Sequence, residues 1–420
     1  MSQEFDVVVL GAGMVGATVA IGLAQAGLQV ALVDPVPVPS MRRDETPHLR
    51  VSAISYASEQ ILRNLGVWSA LMPERLCPYR RLAVNERPPK NGLARLLPDI
   101  SKWARTEFTA DEAGIAHLGT ILENDHLQWA LHQCIAQQDG IHLFCPTKVD
   151  AYHLEGDIKH LELNDGTRIS AKLIVGAEGA QSPSRIAAGL GQYSERYEQS
   201  AFACTVAYQG AQQDITWQMF RPEGPVAFLP LASVADQCYA SLVWYDSPAQ
   251  VEALKRMPDV ELVEALREQF PNTLPPIEMV VARGAFPLFK SHASRYHAKG
   301  VVLVGDAAHT INPLAGQGVN LGLMDAAVLI EIVSQAALAG ENWWLDALLA
   351  KYEKRRRREN QAMMAMMDLF YYGFSNERLP LTILRNIGLG LAQRTGPIKR
   401  QVLSYAVGLA GDKPRLAEPR

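Results

Sequence analysis

Cysteine is scarce in this chain, and its placement shows no pairing. There are five, Cys77, Cys134, Cys145, Cys204 and Cys238, an odd number with no CxxC spacing. That argues against a disulfide framework or a cysteine zinc site and fits a reducing cytoplasm. None of the ten histidines falls in HExxH or another recognisable ligand pattern, so no metal is expected. No stretch holds about 18 uninterrupted apolar residues, and no transmembrane helix is expected. The apolar N-terminus lacks the basic start of a signal peptide, because Glu4 and Asp6 stand there. Positive charge is not in excess either. With 40 Lys/Arg against 44 Asp/Glu the net charge is -4, which argues against a general nucleic-acid partner.

What is present is a globular composition, 48% hydrophobic and 20% charged over 420 residues, enough for two or three compact units. The charge is unevenly spread. From Lys354 to Arg420 there are 13 basic and 5 acidic residues, a tail of +8 on a body of -12.

Phe5 to Leu10 is a short valine-rich run that suits a buried parallel strand, and GAGMVG follows at once. A helix over Ala17–Ala26 and a second strand over Gln29–Val33 complete one βαβ unit. Helical spacing recurs over Ala57–Leu71 and over Asp125–Gln137, where Leu127, Leu131 and Ile135 share a face. Asn164-Asp165-Gly166 signals a hairpin between strands Ile158–Leu163 and Arg168–Ile174. From Ser200 to Tyr245 short alternating segments separated by Pro and Gly read as a mostly antiparallel sheet inserted into the first domain. VVLVG at 301–305 returns to a parallel-type strand, a long helix begins after Gly316, and the pattern from Trp343 onward is mostly helical.

Gly11, Gly13 and Gly16 form GxGxxG between a strand and a helix, with Met14 and Val15 inside the turn. The glycines permit the tight turn and close approach to a pyrophosphate, which meets the helix N-terminus. Asp34 ends the second strand and can accept from ribose hydroxyls, so the ligand reads as FAD or NAD, not NADP. A second feature chooses between them. In VVLVGDAAHTINPLAGQGVNLGLMDA, residues 301–326, Gly305 and Asp306 end a buried strand, and the loop Pro313–Gly318 precedes a helix. Such a helix N-terminus would stabilise negative charge on a reduced flavin.

These motifs resemble the single-component FAD-dependent aromatic hydroxylases of the para-hydroxybenzoate hydroxylase type. GAGMVG and GDAAHTINPLAGQGVNLG match two of that family's three signatures, and GAEGAQSPSR matches the third, with Glu178 where an aspartate is usual. AGQGxNxGxxD at 315–325 and HLRVSAIS at 48–55 look like the ubiquinone-biosynthesis branch. The segments TWQMFRPEGPVAFLPL, SLVWYDSP and DLFYYGFSN are similar to members acting on a polyprenyl methoxy-methyl-benzoquinol. The resemblance implies an α/β fold: a Rossmann-like FAD-binding domain, an inserted mixed or antiparallel-sheet substrate domain and a C-terminal helical region. The FAD domain is expected over 1–75, 101–185 and 286–345, the substrate domain over 76–100 and 186–285, and the helical region over 346–420. It also implies that Arg50, Asn124, Gln128, Glu178, Gly305, Asp306, Pro313, Gly316, Gly318, Val319 and Asn320 join the glycine turn and Asp34 in holding FAD.

The chain has one GxGxxG and no second such signal, and the resemblance implies NADH or NADPH as a transient reductant. The resemblance implies dioxygen, a flavin hydroperoxide and hydroxylation of a quinol ring. A hydroxylase of an earlier polyprenylphenol at another ring position and an FAD-dependent prenyl reductase remain open alternatives. No residue is singled out as a catalytic base. Trp217, Phe220, Phe228 and Trp244 are candidates for an apolar ring pocket, or for plain core. His309 reads as packed beneath its loop. The run Lys354–Arg358 is either a solvated helix face or a contact to the inner-membrane surface or to a complex of quinone-synthesis proteins.

Overall fold

The computed structural model describes residues 2–87, 105–312, 318–374, 399, 401, 403–405 and 407–419. A six-stranded sheet runs in the order His297–Ala298, Val301–Leu303, Leu173–Gly176, Val7–Leu10, Val30–Val33, Ile141–Phe144. All its pairings are parallel except that of His297–Ala298 with Val301–Leu303. Val7–Leu10 and Val30–Val33 are buried at every position, because parallel strands have both faces covered. The helices Met14–Gln25 and Gly318–Leu338 close on each other at Gly22, where any side chain would overlap Ile330. Gly318–Leu338 is by length and composition the one described helix apolar enough to cross a membrane, but 67% of that stretch is buried in this core.

The turn at Asn164–Gly166 joins Lys159–Leu163 to Arg168–Ala171 in antiparallel register, and Gly166 supplies the positive φ of 84°. The expected strand Arg168–Ile174 is two strands. Arg168–Ala171 lies in a four-stranded sheet and Leu173–Gly176 in the six-stranded one, so the chain changes sheets at Lys172.

The second domain is an eight-stranded sheet: His309–Thr310, Ile277–Ala293, Gln192–Tyr208, Gln237–Asp246, Val226–Val234, Ile215–Phe220, Arg81–Glu86, Arg105–Thr109. It is antiparallel apart from the parallel pairing of Ile215–Phe220 with Arg81–Glu86. The sheet takes residues from both sides of the expected boundaries at 100 and 285. Arg105–Thr109 pairs with Arg81–Glu86, and Gln192 pairs with Ala293. One face carries Phe202, Val206, Phe228 and Leu242 against Val251 and Leu254 of helix Pro248–Arg256 and Leu262 and Leu266 of helix Asp259–Arg267. The other face turns toward the parallel sheet.

Helix Asp346–Phe374 lies along the parallel domain and buries Leu349, Tyr352, Arg356, Asn360, Met363, Met367 and Tyr371 at spacings of three and four residues.

Candidate active site

The strand–turn–helix at residues 7–25 is built around its glycines. Gly11 has φ +96°, and a side chain there would overlap the Ala177 carbonyl; one at Gly16 would overlap the Gly11 carbonyl. Gly13 has nothing within 4 Å of the position a Cβ would take. Two glycines therefore tighten the turn while the middle one leaves open space before the helix N-terminus, which suits a pyrophosphate. Asp34 closes the next strand. Its carboxylate accepts the Ala12 N–H at 2.6 Å and the Val36 N–H at 2.7 Å, and each oxygen keeps a second lone pair for a hydroxyl donor.

Gly13, Met14 and Val15 open onto a cavity of about 560 Å³ that also meets Arg50, Ser52, Asn124, Ala177, Gly179, Gly305, Asp306, Gly318 and Val319. Across it stands the inner face of the eight-stranded sheet: Ala201, Ala203, Thr216, Gln218, Ala227, Leu229, Ser241, Val243 and Phe286. One continuous space thus joins the dinucleotide turn to an apolar wall with a few polar groups, the usual make-up of a ligand site. Arg50 stacks over Phe286 at 5.5 Å. Asp306 projects into the cavity. Burial among the surrounding atoms raises its pKa, with the charges of His309 and Arg50 opposing. Asn124 positions rather than merely lines: its Oδ1 accepts from Ser52 at 2.6 Å and its N–H reaches the Arg50 carbonyl at 3.0 Å.

Behind the cavity the Gly305–Asp306 turn rests on a buried network. Asp325 accepts the Gly305 N–H at 3.0 Å and bonds His309 at 2.5 Å, Arg356 at 2.7 Å and Asn360 at 3.1 Å. Asn360 reaches Tyr296 at 3.2 Å, and the Tyr296 hydroxyl meets His292 at 2.7 Å. Burial pushes the Asp325 carboxyl up, but His309 and Arg356 outweigh it and hold it below the usual carboxylate range. His309 is therefore a hydrogen-bonded histidine beneath the turn.

The FAD binding domain family matches residues 4–367. The chain is 42% identical to 3-demethoxyubiquinol 3-hydroxylase of Escherichia coli, covering 97% of this chain and 100% of that protein. It is 31% identical to the mitochondrial ubiquinone biosynthesis monooxygenase COQ6 of Rattus norvegicus, over 96% of this chain and 90% of that one. The chain belongs to the FAD-dependent ubiquinone-biosynthesis hydroxylases. Among solved structures, p-nitrophenol 4-monooxygenase PnpA from Pseudomonas putida DLL-E4 shares the fold, with TM-score 0.73, 17% identity and coverage of 97% and 99% of the two chains.

As a member of this hydroxylase family the chain binds FAD, and the open ground at Gly13 together with Asp306 facing the cavity fits that cofactor. The structure brings Gly13, Met14, Val15, Arg50, Asn124, Gly305, Asp306, Gly318 and Val319 to one cavity. Gly11, Gly16 and Asp34 shape the turn from behind. Asn320 acts as a strut: it accepts the Ser55 N–H at 2.9 Å and donates to the Ala53 carbonyl at 2.8 Å, tying the long helix to the Val51–Ser55 strand. Glu178 does not border the cavity and accepts from the Ser182 and Ser184 hydroxyls at 2.6 and 2.7 Å and the Ser184 N–H at 3.0 Å, bracing the start of helix Pro183–Ala187, which Ser182 caps. Gln128 is half-buried one turn beyond Asn124 and does not border the cavity. Pro313 and Gly316 lie outside the described residues.

Of the four aromatic residues offered as ring pocket or plain core, three pack in the core on the far face of the sheet. Trp217, Phe228 and Trp244 belong to the core under the two helices, and the Trp217 ring packs on Phe270 at 5.4 Å although the residue borders the cavity. Phe220 is buried at its strand's end and does not border the cavity. For the first three alternation explains this: on each strand their neighbours (Thr216, Gln218, Ala227, Val243) take the cavity face, whereas Phe220 shares the parity of Thr216 and Gln218 but lies beyond the cavity's edge. The wall residues are small or weakly apolar and carry no composition signal of their own, and only period two along each strand distinguishes them from the core set.

The basic run is also corrected. Arg355 pairs with Glu331 and Asp412, Arg356 is 3% exposed on Asp325, and Arg357 pairs with Glu353. Of the five only Lys354 and Arg358 are exposed, so the run is not one basic face.

Proposed function

We propose that this hydroxylase adds a hydroxyl to the ring of a polyprenyl methoxy-methyl-benzoquinol. The observation that carries the reading is the single cavity running from the dinucleotide turn to the apolar sheet wall. The balance is ring C–H, dioxygen, NAD(P)H and a proton giving ring C–OH, water and NAD(P)+. Bound FAD supplies hydride acceptance and oxygen activation. The chain's own residues do the rest. Gly11–Gly16 and Asp34 would hold the nucleotide end of FAD, Asp306 would accept from its ribityl hydroxyls, and Asn320 and Asp325 hold the helix and turn that border its place. Ala201, Ala203, Ala227, Leu229 and Val243 provide a dry wall for the ring, and Thr216, Gln218 and Ser241 offer hydrogen bonds to its oxygens.

The 42% relative, named a 3-demethoxyubiquinol 3-hydroxylase, supports this ring position over an earlier polyprenylphenol. The polyprenyl tail partitions into lipid, so the chain meets its substrate at a membrane surface or on a lipid-carrying protein of the same pathway. The test is substrate-dependent oxygen uptake with mass spectrometry of the quinone intermediates in a deletion strain. Accumulation of the unhydroxylated methoxy-methyl intermediate is expected. Accumulation of an earlier phenol, or turnover without oxygen uptake, would overturn the reading in favour of the other hydroxylase or of a prenyl reductase.

A further inference from the structure

The two residues of the basic run that are not used internally do not stand alone. Lys354 and Arg358, one helical turn apart, line an open concavity of about 410 Å³ with Arg295, Arg357, His297, Glu353 and Gln361. Arg295 comes from the connection that follows strand Ile277–Ala293, so helix and loop converge from separate parts of the chain. The one carboxylate in the cleft is spent. Glu353 accepts from Arg357 at 3.2 Å, from the Tyr296 N–H at 3.0 Å, and faces His297 at 3.5 Å. Asp346 stands against the other nitrogen of His297 at 3.4 Å. Arg357 also donates to the Ser294 carbonyl. Arg295, Lys354 and Arg358 have no hydrogen bond or ion pair with any described residue.

Three unpaired cations around one hollow repel one another, and Lys354 with Arg358 is the i,i+4 like-charge pair that weakens a helix. A phosphate would relieve that repulsion. The shape of the surroundings says which kind. From Lys351 onward the exposed residues of helix Asp346–Phe374, Lys351, Lys354, Arg358, Gln361, Ala362, Ala365, Leu369 and Tyr372, fall within an arc of roughly 100° at 3.6 residues per turn. The face is basic at one end and mostly apolar at the other, where Leu369 is 72% exposed and Tyr372 56%, the tyrosine hydroxyl donating to Glu195 at 3.3 Å. A small soluble anion would use only the first half. A bilayer uses both, with headgroup phosphates in the cleft and the leucine and tyrosine at the boundary of the acyl region.

We infer that the outer face of helix Asp346–Phe374, with Arg295, is the surface by which this chain docks on anionic lipid. This rests on the proposed polyprenyl substrate and names the place where the protein meets the membrane that holds it. The arrangement separates the cations that bind lipid from Arg355 and Arg356, which face inward to hold the fold.

The test is sedimentation of the FAD-loaded protein with phosphatidylcholine vesicles, with and without phosphatidylglycerol. The parent is expected to partition onto the anionic vesicles and to be released by salt. The variant R295Q/K354Q/R358Q is expected to lose up to roughly 150-fold in partition, about five-fold per cation. L369S is expected to lose about three-fold with its salt dependence unchanged, the mark of an apolar contact. Hydroxylation of a short-chain soluble quinol, measured alongside, stays at the parent level in both variants. Loss of that activity in the parent would instead overturn the substrate reading, so the two failures are told apart. Parent partition that ignores phosphatidylglycerol, or a triple variant that binds as well as the parent, would overturn the docking surface. So would inorganic pyrophosphate binding that the triple variant abolishes while its vesicle binding persists, because the cleft would then serve a soluble phosphate.

Discussion

The two walls of the cavity are made in different ways. On the parallel-sheet side the strands stop at the site, and the loops after Leu10, Gly176 and Leu303 deliver glycines, Asp306 and helix starts to the ligand. On the antiparallel side the strands run past the site and present a face, so alternate residues are ligand wall and core. A one-residue step is a minor change on the first wall and a change of destination on the second. That is why short motifs locate the cofactor, whereas the substrate wall needs strand parity.

The largest effects should come from breaking the parts of this comparison that hold the fold. Phe228→Ala, on the core face, should cost about 3–5 kcal/mol of stability, read by thermal or urea unfolding. Thr216→Val, on the cavity face of the adjacent strand, should cost almost nothing, because the Thr216 hydroxyl is buried with no partner among the described residues. It should instead shift the KM for the quinol. If Thr216→Val unfolds the protein and Phe228→Ala changes only KM, the two faces are exchanged.

The parallel side offers a second contrast. Asp325→Ala strips the partner from buried Arg356 and His309 and should destabilise by about 3–5 kcal/mol, whether or not FAD is bound. Asp306→Ala removes a carboxylate that faces only the cavity. FAD should dissociate about 10- to 150-fold more readily, as expected for loss of about 1.5–3 kcal/mol, with apoprotein unfolding unchanged. Equal effects of the two substitutions on the apoprotein would erase the distinction between support and ligand contact.

A smaller, pH-dependent difference follows from the histidines on this side. Burial, assisted by nearby arginine charge, lowers His126 to about 4, and burial with His309 and Arg357 lowers His292 to about 4. Both are neutral in the folded chain and free to protonate near 6.5 when unfolded. Stability should therefore fall as pH drops from about 6.5 toward 4, by about 1 kcal/mol for each histidine at pH 5.5. The Asp325 contribution is lost only further down, as pH falls below the ordinary carboxylate range. His126→Asn should flatten the slope between pH 7 and 5.5 whatever it does to absolute stability. An unchanged slope would show that His126 already binds a proton in the folded state.

A dinucleotide site was legible in sequence because its requirements are local, while the choice of FAD over NAD needed the distant segment 301–326. A pyrophosphate needs three glycines and a helix start within six residues, and GAGMVG supplies them contiguously. The buried runs VVVL and VALV likewise identify parallel strands without reference to anything else. The role of Glu178 was not legible, since the serines that donate to it lie downstream and compete with any ligand for its oxygens. Nor could the sequence divide Lys354–Arg358. Five adjacent cations look alike until a helix rotates each by 100°, and only the packing of that helix decides which meets Asp325, which meets Asp412 and which is left facing solvent. The chain order determined the dinucleotide turn, the βαβ unit and the family. The tertiary structure decided which sheet face the ring meets and which charges remain free, because both depend on what packs against the opposite side.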